Sequence, residues 1–249
     1  MGSLGVVVLA AALAPPAATG ASDLARRLES LRTPAPIAIR LRMDLRLERT
    51  LHGQTARGEA SLQADVERDE SGLRVYWESG LLLQANEEER IHDREPDRLT
   101  PLREGLMELD PARLGHLLDE AGSLAGLTKG DPVEESAGAF EGRDARRLVF
   151  RFSPRLSWTE RYYLRKSEGR FTVWIAPDGT PLASDSRATF QGKTSRTFGR
   201  FEGSTSLRTR YAVEGGRLRV AERDADEMTS RDDGGEVEHS WRHLVLEGR

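Results

Sequence analysis

From Ile37 to Leu47 the chain reads IAIRLRMDLRL, and apolar and polar residues alternate without a slip. Ile37, Ile39, Leu41, Met43, Leu45 and Leu47 share one parity, while charge dominates the other. A two-residue period is that of a strand with one buried face. After HGQTARG a second alternating run places Ala60, Leu62, Ala64 and Val66 together, which predicts a long antiparallel neighbour. A third strand, GLRVYWES, follows the turn residues Asp69 to Gly72 and puts Leu73, Val75 and Trp77 on one face.

Elsewhere the period changes. Upstream, SDLARRLESLR carries Leu24, Leu28 and Leu31 at helical spacing, with Ser22 as the expected N-cap and Pro34 and Pro36 ending the helix. Between about Leu83 and Lys129 the alternation stops. Thr100 precedes Pro101 and Asp110 precedes Pro111, each a cap residue ahead of proline at the first helical position, and this predicts two helices. In the second, Leu114, Leu117, Leu118, Ala121 and Leu124 form one stripe for packing on a sheet, with His116 on the polar, solvated side.

From Val133 onward the turn signals EGRD, SEGR, PDG, QGK, EGS, EGG and DDGG recur mostly ~10–13 residues apart, the spacing of an antiparallel meander. Leu148, Phe150 and Phe152 share one face there, and so do Phe171, Val173 and Ile175, with a hairpin turn at Pro177 to Gly179. The expected fold is mainly β (α+β). It is a strongly curved antiparallel sheet, a half-barrel of about ten strands, with an N-terminal helix and a two-helix insertion.

Composition narrows the setting. A length of 249 residues suits one all-β domain, which commonly runs ~200–250. Aromatic residues are spread from Tyr76 to Trp241, which argues against a long disordered half. The opening residues MGSLGVVVLAAALAPPAATGA have an apolar run from Val6 to Ala14, two prolines, and Ala18 and Gly20 in small-x-small spacing. They read as an export signal over residues 1–20, leaving 21–249 as a single domain, although no Lys or Arg precedes the apolar run. That run is too short to cross a hydrocarbon core of ~30 Å as a helix, and no later segment comes close, so a chain that does not span the membrane is expected. Cysteine is absent, which excludes disulfides, thiolate metal sites, thiol nucleophiles and a lipidated N-terminal Cys. The expected location is the periplasm.

Only three of the 37 basic residues are lysine (Lys129, Lys166 and Lys193). Arginine suits phosphate recognition, but the formal net charge of −4 argues against a nucleic-acid partner. Signatures of catalysis are absent: there is no H-E-x-x-H, no G-x-S-x-G elbow, no phosphate loop and no strand-to-helix G-x-G-x-x-G. Neither an enzyme nor a cofactor is expected. His239 and His243 lie four apart in HSWRH, but on a strand their backbones sit about 13 Å apart, too far to share a metal. The acidic stretch from Glu222 to Glu238 misses the calcium-loop spacing at Met228 and reads as a solvated loop. Arg146 to Lys166 interleaves seven basic residues with Phe150, Phe152, Trp158, Tyr162 and Tyr163, a pattern of alternate strand residues that also suits an anionic lipid surface.

Taken in order, the predicted helix, three long strands, helical insertion and strand meander over Ser22 to Val220 resemble the periplasmic lipoprotein-carrier (LolA/LolB-like) half-barrels. The stretch VWIAPDGTPLASD also resembles a segment of uncharacterised exported bacterial proteins. The first resemblance implies a concave sheet face that holds acyl chains, and it carries over no individual binding residue. The helices offer fewer large apolar residues than the strands present inward, which leaves part of the concave face for a ligand. The expected function is non-enzymatic binding or carriage of a lipid-like molecule, with Leu41, Met43, Leu45, Leu62, Trp77 and Phe150 as the hydrophobic ligand face. The alternative is an envelope protein-interaction module working through a sheet edge or the acidic loop.

Overall fold

The structure, a computed structural model, describes residues 19–32, 35–153, 164–193, 199–232 and 235–249. Most of the expected export signal, and Trp158, Tyr162 and Tyr163 of the basic aromatic stretch, lie outside the described residues. In chain order the elements are α1 (Gly20–Ser30), β1 (Ile37–Leu51), β2 (Gln54–Asp69), β3 (Gly72–Trp77), α2 (Ser79–Arg94), α3 (Pro101–Glu108), α4 (Pro111–Leu118), α5 (Glu120–Leu127), β4 (Glu134–Phe140), β5 (Arg143–Phe152), β6 (Leu164–Ile175), β7 (Pro181–Lys193), β8 (Arg200–Glu214), β9 (Arg217–Arg231) and β10 (Glu236–Gly248).

Among the described residues ten strands form one open antiparallel sheet in the order β3-β2-β1-β10-β9-β8-β7-β6-β5-β4. The half-barrel with helices is therefore the architecture that the alternation predicts. β1 lies inside the sheet because the C-terminal strand returns to it, with Leu41 opposite Leu246 on one side and Ala64 on the other. Tight turns set the register: His52 and Gly53 have φ of 49° and 79°, and Glu141 and Gly142 have 51° and 77°, the paired positive angles that match strand twist. At Pro177 to Gly179 the Asp178 carboxylate accepts from the Thr180 N–H at 2.9 Å and closes the expected hairpin turn.

The helical insertion carries the chain from the β3 edge to the β4 edge across the concave face, and it holds four helices where proline spacing marked two. α2 has no proline signal, and its apolar residues are few: only Ala85 is buried, so its period is faint. The stripe from Leu114 to Leu124 is broken at Asp119, whose φ of −141° and ψ of 70° turn the chain between α4 and α5. The break lets one stripe serve two cores. Leu114, Leu117 and Leu118 pack with β1, β2 and α3, whereas Ala121 and Leu124 pack with α1, Leu148, Phe150, Phe171 and Val173. Each leucine so buried contributes ~1.5–3 kcal/mol relative to exposure.

Capping follows the sequence in part. Asp110 accepts from the Ala112 and Arg113 N–H groups at 2.8 and 3.0 Å, as expected of an N-cap. Thr100 is buried instead, and its hydroxyl makes no hydrogen bond to α3. α1 starts two residues before Ser22, capped by Thr19, because Gly20 packs against β5 and its N–H donates to Glu135 at 2.9 Å.

The acidic stretch is not a loop. Described residues Glu222–Arg231 and Glu236–Glu238 belong to β9 and β10, which pair from Val245–Glu222 to Glu236–Arg231. Repulsion among its acids is relieved across the strands: Asp224 faces His243, Asp226 reaches His239, and Glu227 reaches Arg242.

Candidate functional site

The alternating row on β1 has two fates. Ile37, Ile39, Leu41 and Met43 belong to the first core, where α3 lies close against the sheet. A Cβ at Gly105 of α3 would come within 2.7 Å of a Leu62 methyl and 3.2 Å of the Met43 terminal methyl, so only glycine allows this approach without displacement. Leu45 and Leu47 are 4% and 7% exposed, yet they belong to neither core cluster. They line a 340 Å³ cavity at the mouth of the concave face, whose apolar wall is completed by Leu99 and Met107 at α3. That volume is at the small end of ligand pockets, which run ~300–1,000 Å³.

Charge rims this apolar floor. At the next inward position of β1, Arg49 pairs with Glu238 at 2.6 Å and donates to the Asp97 carbonyl at 3.3 Å. Arg242 of β10 reaches Glu108 of α3 at 2.9 Å and Glu227 of β9 at 2.6 Å, while its Nε is buried without a partner. Arg103 is held against α2, with its N–H donating to Glu88 at 2.9 Å and its guanidinium paired with Glu89. Glu104 lies between these groups. Burial raises its carboxyl above the ordinary value, with Arg49 opposing and Glu238 reinforcing the rise. The cavity thus joins a greasy floor to a rim of mixed sign.

Of the six residues expected to form a ligand face, Leu41, Met43 and Leu62 sit together beneath α3 and are 0–2% exposed. Trp77 is half-buried at the border of that cluster. Phe150 is buried in the other core, beside α1 and α5. Leu45 lines the open cavity. Sequence reading missed Leu47, Leu99, Met107 and the rim charges. Leu47 and Arg49 carried a signal, since the inward row changes there from apolar to charged, but Met107 belongs to a short helix with no period of its own.

Deeper in the concave face Arg223 bridges Glu120 at 2.9 Å and Thr209 at 3.2 Å, and the Tyr211 and Ser184 hydroxyls meet at 2.6 Å. Burial pushes the Glu120 carboxyl up, with Arg223 opposing, and burial pushes the Tyr211 hydroxyl well above its usual range. This network ties α5 to β7, β8 and β9. On the convex face the donor atoms of Glu222, Asp224 and His243 lie within 4.8 Å of one another, the spacing at which one imidazole and two carboxylates would hold a cation. The same contacts serve as surface ion pairs, His243 meeting Asp224 at 2.7 Å and Glu222 reaching Arg210 at 3.6 Å. His239 does not join them and pairs with Asp226. Among the described residues no helix is long and apolar enough to cross a membrane.

No family model matches the chain, and no curated protein matches it. Among solved structures it is similar to a DUF1329 family protein from Desulfovibrio piger, at 13% identity and a TM-score of 0.28, over 92% of this chain and 91% of that one.

Proposed function

We propose that this protein is a non-enzymatic periplasmic binder or carrier of an amphiphile with an acyl-like chain. The supporting observation is the divided fate of the β1 row: Leu45 and Leu47 leave the packed core and, with Leu99 and Met107, floor a cavity rimmed by Arg49, Arg103 and Arg242. An apolar chain would lie on the floor and an anionic or zwitterionic head would meet the rim, where guanidinium groups can trade carboxylate partners for ligand oxygens. Leu41 and Met43 continue the same row beneath α3, with Leu62 of β2 beside them, so a longer chain reaches them only with displacement of that helix. Trp77 borders the first core and Phe150 is buried in the second, so neither touches the ligand in this arrangement.

A second reading has its own observation. Leu82 and Leu83 of α2 are 46% and 71% exposed, and Tyr76 of the adjoining edge strand β3 is 52% exposed, a surface that suits a protein partner in the envelope. Native mass spectrometry of the full chain purified from its own periplasm separates the two. A lipid-sized adduct supports the binder, whereas a clean apo mass with a stoichiometric protein partner supports the interaction module and overturns the first reading.

A further inference from the structure

At the other end of β1 the structure has a second concave site, of different chemistry. Arg68 of β2 pairs in register with Ile37, ten residues from Leu47, which separates this end from the mouth cavity by roughly 33 Å along the strand. Here Arg32 and Arg68 form one wall of a 480 Å³ pocket, and Ala112, His116, Asp119 and Gly122 from α4 and α5 form the other. Arg217 adjoins it as the antiparallel bridge partner of Arg32.

Arg217 is 3% exposed, and among the described residues one of its guanidinium nitrogens is satisfied, donating to the Ala35 carbonyl at 2.7 Å. Its Nε and Nη1 are buried with no hydrogen-bond partner among the described residues. Among the described residues neither Arg217 nor Arg68 is in an ion pair, and Arg68 donates a long hydrogen bond to the Gly115 carbonyl at 3.4 Å. Arg32 is paired with Glu29, at 3.4 Å on the exposed side of α1. A buried guanidinium without a counter-ion is costly, and a protein normally supplies a carboxylate beside it. In this pocket the guanidinium groups of Arg32 and Arg68 share a single lining carboxylate, Asp119, and Arg217 lies buried behind Arg32. α5 starts beside that residue with no side-chain cap, and Gly122 and Ser123 of its first turn line the pocket. Burial and the neighbouring Arg68 both lower the proton affinity of Arg217, with Asp119 opposing, as in a site short of negative charge.

We infer that this pocket is a binding site for a phosphoryl oxyanion, with Arg32 and Arg68 as its cationic side, Arg217 as buried positive charge behind them, and the first turn of α5 completing the wall. Planar guanidinium forks match the oxygens of a phosphate, and a bound dianion supplies the charge that Arg217 lacks. The same chemistry serves free phosphate and the phosphate of a lipid headgroup. The site does not depend on the mouth cavity, so either can fail alone.

Isothermal titration of the full chain with inorganic phosphate, against sodium chloride of matched ionic strength, tests this, alongside cosedimentation with phosphatidylcholine vesicles with and without phosphatidic acid. Saturable phosphate binding that weakens at least tenfold in Arg68→Gln supports a free-phosphate site. Binding only to phosphatidic acid vesicles, lost in Arg68→Gln, supports a headgroup site. Arg68→Gln keeps the fold if its melt matches the parent without phosphate. Arg217→Met provides a second check, because it should melt no lower than the parent in chloride and lose any stabilisation by phosphate. The inference is overturned if the parent binds neither probe, or if Arg68→Gln binds both as well as the parent does.

Discussion

Truncation along a single strand separates packed core from cavity wall. Leu41 has no accessible surface and sits under α3 and α4 with Leu62 and Leu118. Leu41→Ala removes about three methyl or methylene groups, ~2.4 kcal/mol at ~0.8 kcal/mol each, and leaves a void that the close approach at Gly105 hinders from collapsing. The expected loss is about 3–4 kcal/mol. Leu45, four residues along on the same face, already borders open space, so Leu45→Ala enlarges an existing cavity and loses only part of the transfer term, about 1–2 kcal/mol. Urea melts followed by tryptophan fluorescence read both losses. With an m-value near ~3 kcal/mol/M, Leu41→Ala moves the midpoint by about 1 M and Leu45→Ala by half of that or less. Losses that agree within ~0.5 kcal/mol would refute the division of the row.

Met107 is 59% exposed, so Met107→Glu should shift stability by no more than ~0.5 kcal/mol while weakening binding of a fluorescent fatty-acyl probe, and unchanged probe affinity would count against the mouth. Burial raises Glu104 above its ordinary value of 4.5 in the folded protein, so the folded state binds the proton more tightly and stability falls as pH rises from about 4.5 through the raised value. Glu104→Gln should flatten that slope in melts across pH 4 to 7, and a parent-like slope would contradict it. The Arg113 and Ala112 N–H groups hold Asp110 below its ordinary 3.8, so its cap is at full strength above that value and is lost as pH falls through the depressed one. Asp110→Ala should therefore melt lower than the parent near neutrality, with the gap closing in acid. N-terminal sequencing of exported protein should begin near Ala21, with α1 losing its Thr19 cap and the Gly20 N–H bond to Glu135, and an uncleaved cytosolic chain would overturn the proposed periplasmic location.

Much of the fold was legible because two-residue alternation is strict in β1 and β2, and the turns at His52, Glu141 and Pro177 carry residues that positive φ or a fixed φ demands. α2 was not, since a helix that buries one alanine leaves little period in its sequence. The β9–β10 hairpin was hidden by its acids, whose partners Arg242, His239 and His243 belong to the neighbouring strand and become visible only once the strands pair. The inward row of β1 was plain in the sequence, but its boundary was not. Whether Leu41 or Leu47 meets open space depends on where Gly105 lets α3 settle, and that is a property of packing across sixty residues of chain rather than of local pattern.

The central proposal is that an apolar chain lies on the floor formed by Leu45, Leu47, Leu99 and Met107. Photo-crosslinking the full chain with a fatty acid bearing a diazirine on its alkyl chain, followed by peptide mapping, tests it most directly. Saturable labelling confined to the peptides that contain Leu45 to Leu47 and Leu99 to Met107, competed by unlabelled fatty acid, is the predicted result. Labelling that does not saturate, or that falls on Leu82 and Leu83 of α2 instead, would contradict it.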